Sequence, residues 1–213
     1  MSLKEDEFLE ALRVKSVITK YFAYNETAIY FSEIKEGKES EATKMNEEFS
    51  IIKTSKENIA TEQYNKFYSA TFYDYLPPLK VINIKKELPT MTLKIILFFP
   101  SNQPFDLNAE KTGGNIKLYV NDTFINSSAE LSFTNRSFRW VKGLISCNDI
   151  TLNMSRENMQ DNDRNTRLIR KTVDKVIINE LKKMKENDTE NYDKIISTFN
   201  SILKEGLCEP NYN

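Results

Sequence analysis

The chain has 213 residues, 30 basic and 31 acidic, with a formal net charge of −1; hydrophobic residues make up 39% and charged residues 29%, a globular rather than a disordered profile. There is no histidine, which excludes Ser-His-Asp and Cys-His nucleophile systems and every histidine-containing metal site. The basic excess that phosphate contacts demand is missing, and the longest apolar run, Ile95 to Pro100, is far shorter than the ~20 residues of a membrane span, so neither nucleic acid nor a membrane is an expected partner.

From the start, Glu5 to Phe22 reads as an amphipathic helix, with Phe8, Leu12, Val17, Ile18 and Tyr21 near the helical period. Ala28 to Phe31 reads as a strand, the charged stretch Glu33 to Glu48 as a loop or hairpin tip, and Phe49 to Ile52 as another short strand. A second helix is predicted from Thr61 to Phe72, capped by Thr61, with Tyr64, Phe67, Tyr68 and Phe72 on one core face; Pro77-Pro78 follows its end. Lys80–Lys85 and Thr90–Phe99 read as strands, and the second is so apolar that it belongs inside a sheet. After a loop from Pro100 to Asn115, Ile116–Val120 and Thr123–Ile125 give two more strands, and Trp140 to Ile145 joins a helix to another. Two helical stripes close the chain, one from Arg164 to Met184 and one from Glu190 to Glu205, with Gly206 placed as a C′ glycine. This order predicts an α+β fold with a mixed sheet covered by helices on one or both faces.

Few residues stand out chemically. Cys147 and Cys208 form no C-x-x-C pair, so no metal site is expected, and the few cysteines point to a reducing compartment. Arg164, Arg167, Arg170 and Lys171 read as a solvated helix face, and Gly113-Gly114 as a turn. The segment Asn153 to Gln160 is more unusual. Ser155 suits an N-cap, which would put Arg156 in a first helical turn against the dipole, with Gln160 on the same face. Such a pair can hold an anionic oxygen; pairing of Arg156 with a nearby carboxylate is the plainer alternative.

Trp140-Val141-Lys142-Gly143-Leu144-Ile145, continuing to Leu152-Asn153-Met154-Ser155-Arg156-Glu157-Asn158-Met159-Gln160, resembles the middle domain of the 90-kDa heat-shock chaperones. The family run is F-[VI]-[RK]-G-[VL]-[VI]-D-S-x-D-[LI]-P-L-N-[VIL]-S-R-E-x-L-Q. In the same order, Glu62 to Tyr68 resembles E-E-Y-x-x-F-Y, Pro100 with Pro104-Phe105-Asp106-Leu107 resembles P-x-x-x-P-F-D-L, and Ile116 to Val120 resembles I-K-L-Y-V. Leu9 to Tyr21 is similar to the segment that follows the family's ATPase domain, and Leu203-Lys204-Glu205-Gly206 resembles the L-K-E-G of the bacterial HtpG branch.

The resemblance implies an α/β/α sandwich of the ribosomal-protein-S5-domain-2-like type followed by a helical segment. It divides the chain into an α/β core at 1–153 and a catalytic loop with helices at 154–213. It also implies a cytoplasmic, modular, dimeric chaperone. The partners would be an N-terminal ATPase domain in cis and client proteins. Dimerisation would occur only in the full-length protein, leaving this segment monomeric, a reading that fits Met1-Ser2-Leu3 as an added start. The segment would be no enzyme and would carry no cofactor; ATP with Mg would belong to the full-length protein. By carry-over, Arg156 reaches the γ-phosphate of ATP, Gln160 assists, and Phe105 and Ser155 support the loop. The departures are Ser146-Cys147-Asn148-Asp149-Ile150-Thr151 for the family's D-S-x-D-L-P, Asp122 for an arginine, and Lys53-Thr54-Ser55 for W-T-R. The rival classes are a gyrase B or MutL type ATPase, which would use a lysine and act on DNA, and a standalone interaction domain.

Overall fold

A computed structural model describes residues 10–22, 27–35, 38–46, 51–89, 91–103, 115–121, 123–125, 134–147 and 164–206. Helix α1 spans Ala11–Phe22. Strands β1 (Tyr30–Phe31), β2 (Ile34–Lys35), β3 (Lys38–Glu39) and β4 (Thr43–Lys44) follow. They form one long antiparallel hairpin, β1 with β4 and β2 with β3. Asn46 closes its open end: its Oδ1 accepts from Ile29 N at 2.8 Å and its Nδ2 donates to Thr27 O at 2.9 Å. The charged stretch, read as a loop or hairpin tip, carries β2, β3 and β4 of this hairpin among its described residues. Ile51 and Ile52 are in a turn, not a strand. Both are buried against the large sheet, so their apolarity reflects packing rather than extended backbone.

Helix α2 occupies Thr61–Phe72, as its periodicity predicted. Its N-cap is Ala60 rather than Thr61, and the missing cap hydroxyl is offset by Gln63, whose Oε1 accepts from Ala60 N at 2.8 Å. The helix stops at Tyr73, which is in the left-handed region at φ 52°. Strands β5 (Lys80–Leu88), β6 (Met91–Phe99), β7 (Ile116–Val120), β8 (Thr123–Ile125) and β9 (Lys142–Cys147) make one mixed sheet in the order β5-β6-β9-β7-β8. Only the β7–β9 pair is parallel. A 3₁₀ turn, Arg136–Phe138, stands before β9 where the sequence suggested a helix.

Helices α3 (Arg164–Asn187) and α4 (Thr189–Glu205) complete the chain. Side chains of β6 alternate between two cores. Leu93, Ile95, Leu97 and Phe99 meet α3 and α4 through Ile169, Val173, Ile177, Ile195 and Phe199. Ile96 and Phe98 meet α2 through Tyr64 and Tyr68 on the opposite face. The period of two delivers apolar groups to both sides, which is why the strand reads as almost unbroken apolar sequence. The result is three layers, α3 and α4, then the sheet, then α2, as the family resemblance implied.

Two details differ from the sequence reading. Leu12 is 82% exposed although it follows the helical period of the apolar residues of α1. This helix packs beside the edge strand β8 rather than inside a layer, and Val14, Val17 and Ile18 are half-buried. Gly206 caps α4 in an ordinary right-handed conformation, φ −62° and ψ −24°, so it is not a left-handed C′ residue. Its requirement is space: a Cβ there would stand 2.7 Å from Ser137 Oγ and 2.9 Å from Ser137 Cβ.

Candidate functional site

Arg156, Gln160, Ser155 and Phe105 all lie outside the described residues. What the structure shows is the framework on either side: β9, which ends at Cys147, and α3, which begins at Arg164. Strand β9 is the middle strand of the sheet. It is bonded to β6 from Phe98↔Lys142 to Leu93↔Cys147 and to β7 from Ile116↔Gly143 to Val120↔Cys147. At its far end Asn121, at φ 47°, donates its N–H to Cys147 O at 3.1 Å, and Cys147 Sγ donates to Tyr119 O at 3.6 Å.

The glycine of the K-G motif explains the tight β6–β9 contact. A Cβ on Gly143 would stand 2.4 Å from Ile96 O, 2.8 Å from Leu97 Cδ2 and 3.0 Å from Leu97 Cα. No side chain fits without moving the neighbouring backbone. Gly143 N also donates to Asn115 O at 2.8 Å, and Asn115 Nδ2 donates to Arg139 O.

Lys142 opens β9 as a buried charge, its side chain only 9% exposed. Its Nζ lies 3.1 Å from Asp74 Oδ2, an oxygen that also accepts from the Tyr68 hydroxyl. The ammonium sits 5.4 Å from the Tyr68 ring centroid and 6.0 Å from that of Phe72. Burial pushes the Asp74 carboxyl up, but the bonds from Tyr68 and Lys142 and the Lys142 charge outweigh it, and the pKa falls below the ordinary value. Burial first, then the Asp74 bond and charge, pushes the Tyr68 phenol far up, so it remains a donor.

The opposite layer grips the residues just before β9. Trp140 is buried between Phe99, at 5.1 Å and 60°, and Phe199, stacked at 4.4 Å and 16°. Arg139 forms a fork onto Glu205, Nη1 to Oε2 at 2.7 Å and Nη2 to Oε1 at 2.9 Å. The Arg139 bond, opposed by burial and then aided by the charges of Arg139 and Arg136, holds the Glu205 pKa below its usual range.

Where the family carries an aspartate, Ser146 is paired in register with Lys94. Lys94 turns to the Thr54 carbonyl instead; burial lowers its pKa and the charge of Glu57 opposes that fall. Sequence reasoning quoted Lys142 and Glu205 within motifs but gave them no role, and passed over Asp74 and Arg139. A lysine inside Trp-Val-Lys-Gly-Leu-Ile was a usable signal, because a charge in an apolar strand needs a partner.

A central strand gripped from both helical layers, β9, and the long helix α3 frame the candidate segment within an α/β/α sandwich. The family profile described as Hsp90 protein matches residues 25–213, and the chain belongs to the Hsp90 protein family. It is 34% identical over 215 residues to the chaperone protein HtpG of Campylobacter jejuni subsp. jejuni serotype O:2, covering 96% of this chain and 35% of that protein. It is 32% identical over 209 residues to the chaperone protein HtpG of Ehrlichia canis, covering 98% of this chain and 32% of that one. The chain thus spans about a third of the length of these curated relatives. Its fold is similar to the middle domain of a heat shock protein of Plasmodium falciparum, with a TM-score of 0.61 and 24% identity over 76% of this chain and 61% of the other. Among the described residues no helix is long and apolar enough to cross a membrane.

Proposed function

We propose that this chain is the middle segment of an ATP-driven cytoplasmic chaperone, and that it supplies Arg156 to the γ-phosphate of ATP bound by an N-terminal domain of the same protein. The observation that carries the reading is family membership across residues 25–213, a span that contains Ser155-Arg156-Glu157 and Gln160. Arg156 would stabilise charge on the transferring phosphoryl group, as an arginine finger does, and Gln160 would add a weaker neutral bond. Phe105 and Ser155 would support the loop. In this reading residues 1–153 form the core and 154–213 the loop and helical segment. The nucleotide, with its magnesium, stays in the N-terminal domain, client proteins are the substrates of the cycle, and dimerisation lies outside this segment. The family match favours this over the gyrase B or MutL type and over a standalone interaction domain.

The test is Arg156→Ala in the full-length protein. Turnover should fall on the order of 10²–10³, as for loss of one preorganised donor, while ATP affinity changes little. Gln160→Ala should cost less, and neither should shift the melting temperature appreciably. An Arg156→Ala protein that melts far earlier yet turns over at the wild-type rate would make the residue structural and overturn the reading.

A further inference from the structure

We propose that Arg139 and Glu205 are positioning residues whose paired side chains latch the end of α4 to the entrance of β9, so that the seating of α4 is communicated to the strand that precedes Arg156 in the sequence. This inference rests on the role proposed for Arg156.

Three contacts converge on one joint. Arg139 grips Glu205 through two bonds of 2.7 and 2.9 Å, with Arg136 Nε a further 3.6 Å from Glu205 Oε2. Trp140 stacks on Phe199, the residue at which α4 leaves helical geometry (φ −109°, ψ 15°). Ser137 packs against Gly206 so closely that no Cβ fits between them. The joint continues into the sheet, because Asn115 bonds both to Arg139 O and to Gly143 N. A path of direct bonds therefore runs from the end of α4, through the residues preceding β9, to the second residue of that strand.

The chemistry of the pair points to geometry rather than to bulk stability. The stacked Trp140 and Phe199 already supply the apolar burial. An Arg–carboxylate fork adds two parallel bonds that tolerate little rotation. Arg139 is largely shielded while Glu205 is partly open to water, so the fork contributes modestly to stability.

The experiment uses the full-length protein carrying Glu205→Gln, Arg139→Gln or both, with turnover at saturating ATP, ATP affinity and amide hydrogen exchange over residues 142–147 as readouts. Each single change should lower turnover roughly tenfold, as small misplacements of catalytic groups do, with ATP affinity unchanged. The double change should cost no more than either single one. Exchange over 142–147 should rise about tenfold in all three. Unchanged turnover, effects that simply multiply, a parallel loss of ATP affinity, or unchanged exchange would each overturn the latch. Arg156→Ala, run beside them, separates the two readings. Wild-type turnover in that variant removes the γ-phosphate role, and the exchange at β9 then decides the latch alone.

Discussion

A lysine ammonium inside a sheet core persists only with a counter-charge and bonding partners within reach. Lys142 has both in Asp74, whose other donor is Tyr68. Removing the charge by Asp74→Asn leaves the ammonium buried and poorly compensated. The expected cost is about 3 kcal/mol, the low end for breaking a buried pair, because the Asp74 side chain keeps 19% exposure. The pair also carries a pH signature. Asp74 has a folded pKa below its ordinary value, so its stabilisation is complete above the usual carboxylate range and is lost as pH falls through the folded value. Urea unfolding of wild type and Asp74→Asn should therefore show a gap at neutral pH that narrows as pH falls below about 4. A gap that stays constant with pH would assign the stabilisation to something other than this carboxylate.

Strand β9 ties the layers together, and at Gly143 it leaves no room for a side chain beside β6. Gly143→Ala sets a methyl group 2.4 Å from the Ile96 carbonyl oxygen, which belongs to backbone and cannot rotate away. Overpacking of this kind should cost about 3 kcal/mol, lowering the urea midpoint and raising amide exchange along β6 and β9. A midpoint equal to wild type would mean that the two strands separate at little cost. The helices flanking the sheet were readable because their apolar residues follow one period: Ile169, Val173, Val176, Ile177 and Met184 on α3, and Tyr64 and Tyr68 on α2, are all buried. Ile51 and Ile52 misled because burial in a turn looks like burial in a strand. The two ion pairs that hold β9 were hidden for another reason. Asp74 and Lys142 are 68 residues apart, and Arg139 and Glu205 are 66 apart. No local pattern couples such positions. Arg156 and Gln160 lie outside the described residues; in the sequence they stand out chiefly through the family resemblance, since their local chemistry suits an ordinary surface arginine equally well.

Taken whole, the molecule hangs two helical layers on one sheet, and its outer strands are closed in different ways. Helix α1 lies against β8, while β5 presents exposed Lys85, Lys86 and Glu87, charges that discourage pairing with another chain's edge. The tail helices are held to the sheet by α3 along its length, by the Lys80–Glu180 ion pair at 3.1 Å, and by the stack of Trp140 on Phe199. Trp140 is the only tryptophan in the chain. Its indole is fully buried where the sheet meets α4, and its Nε1 donates to Ser137 O at 3.1 Å. The protein therefore carries its own optical gauge of whether the tail is seated. Selective excitation of this one chromophore should give a blue-shifted emission in the native chain. Phe199→Ala, which removes one wall of the indole's enclosure, should move that emission to the red while far-ultraviolet circular dichroism keeps its native shape. An unmoved spectrum would mean that the sheet alone sets the indole's surroundings. With the expected shift, the seating of α4 can be followed in real time with no label attached.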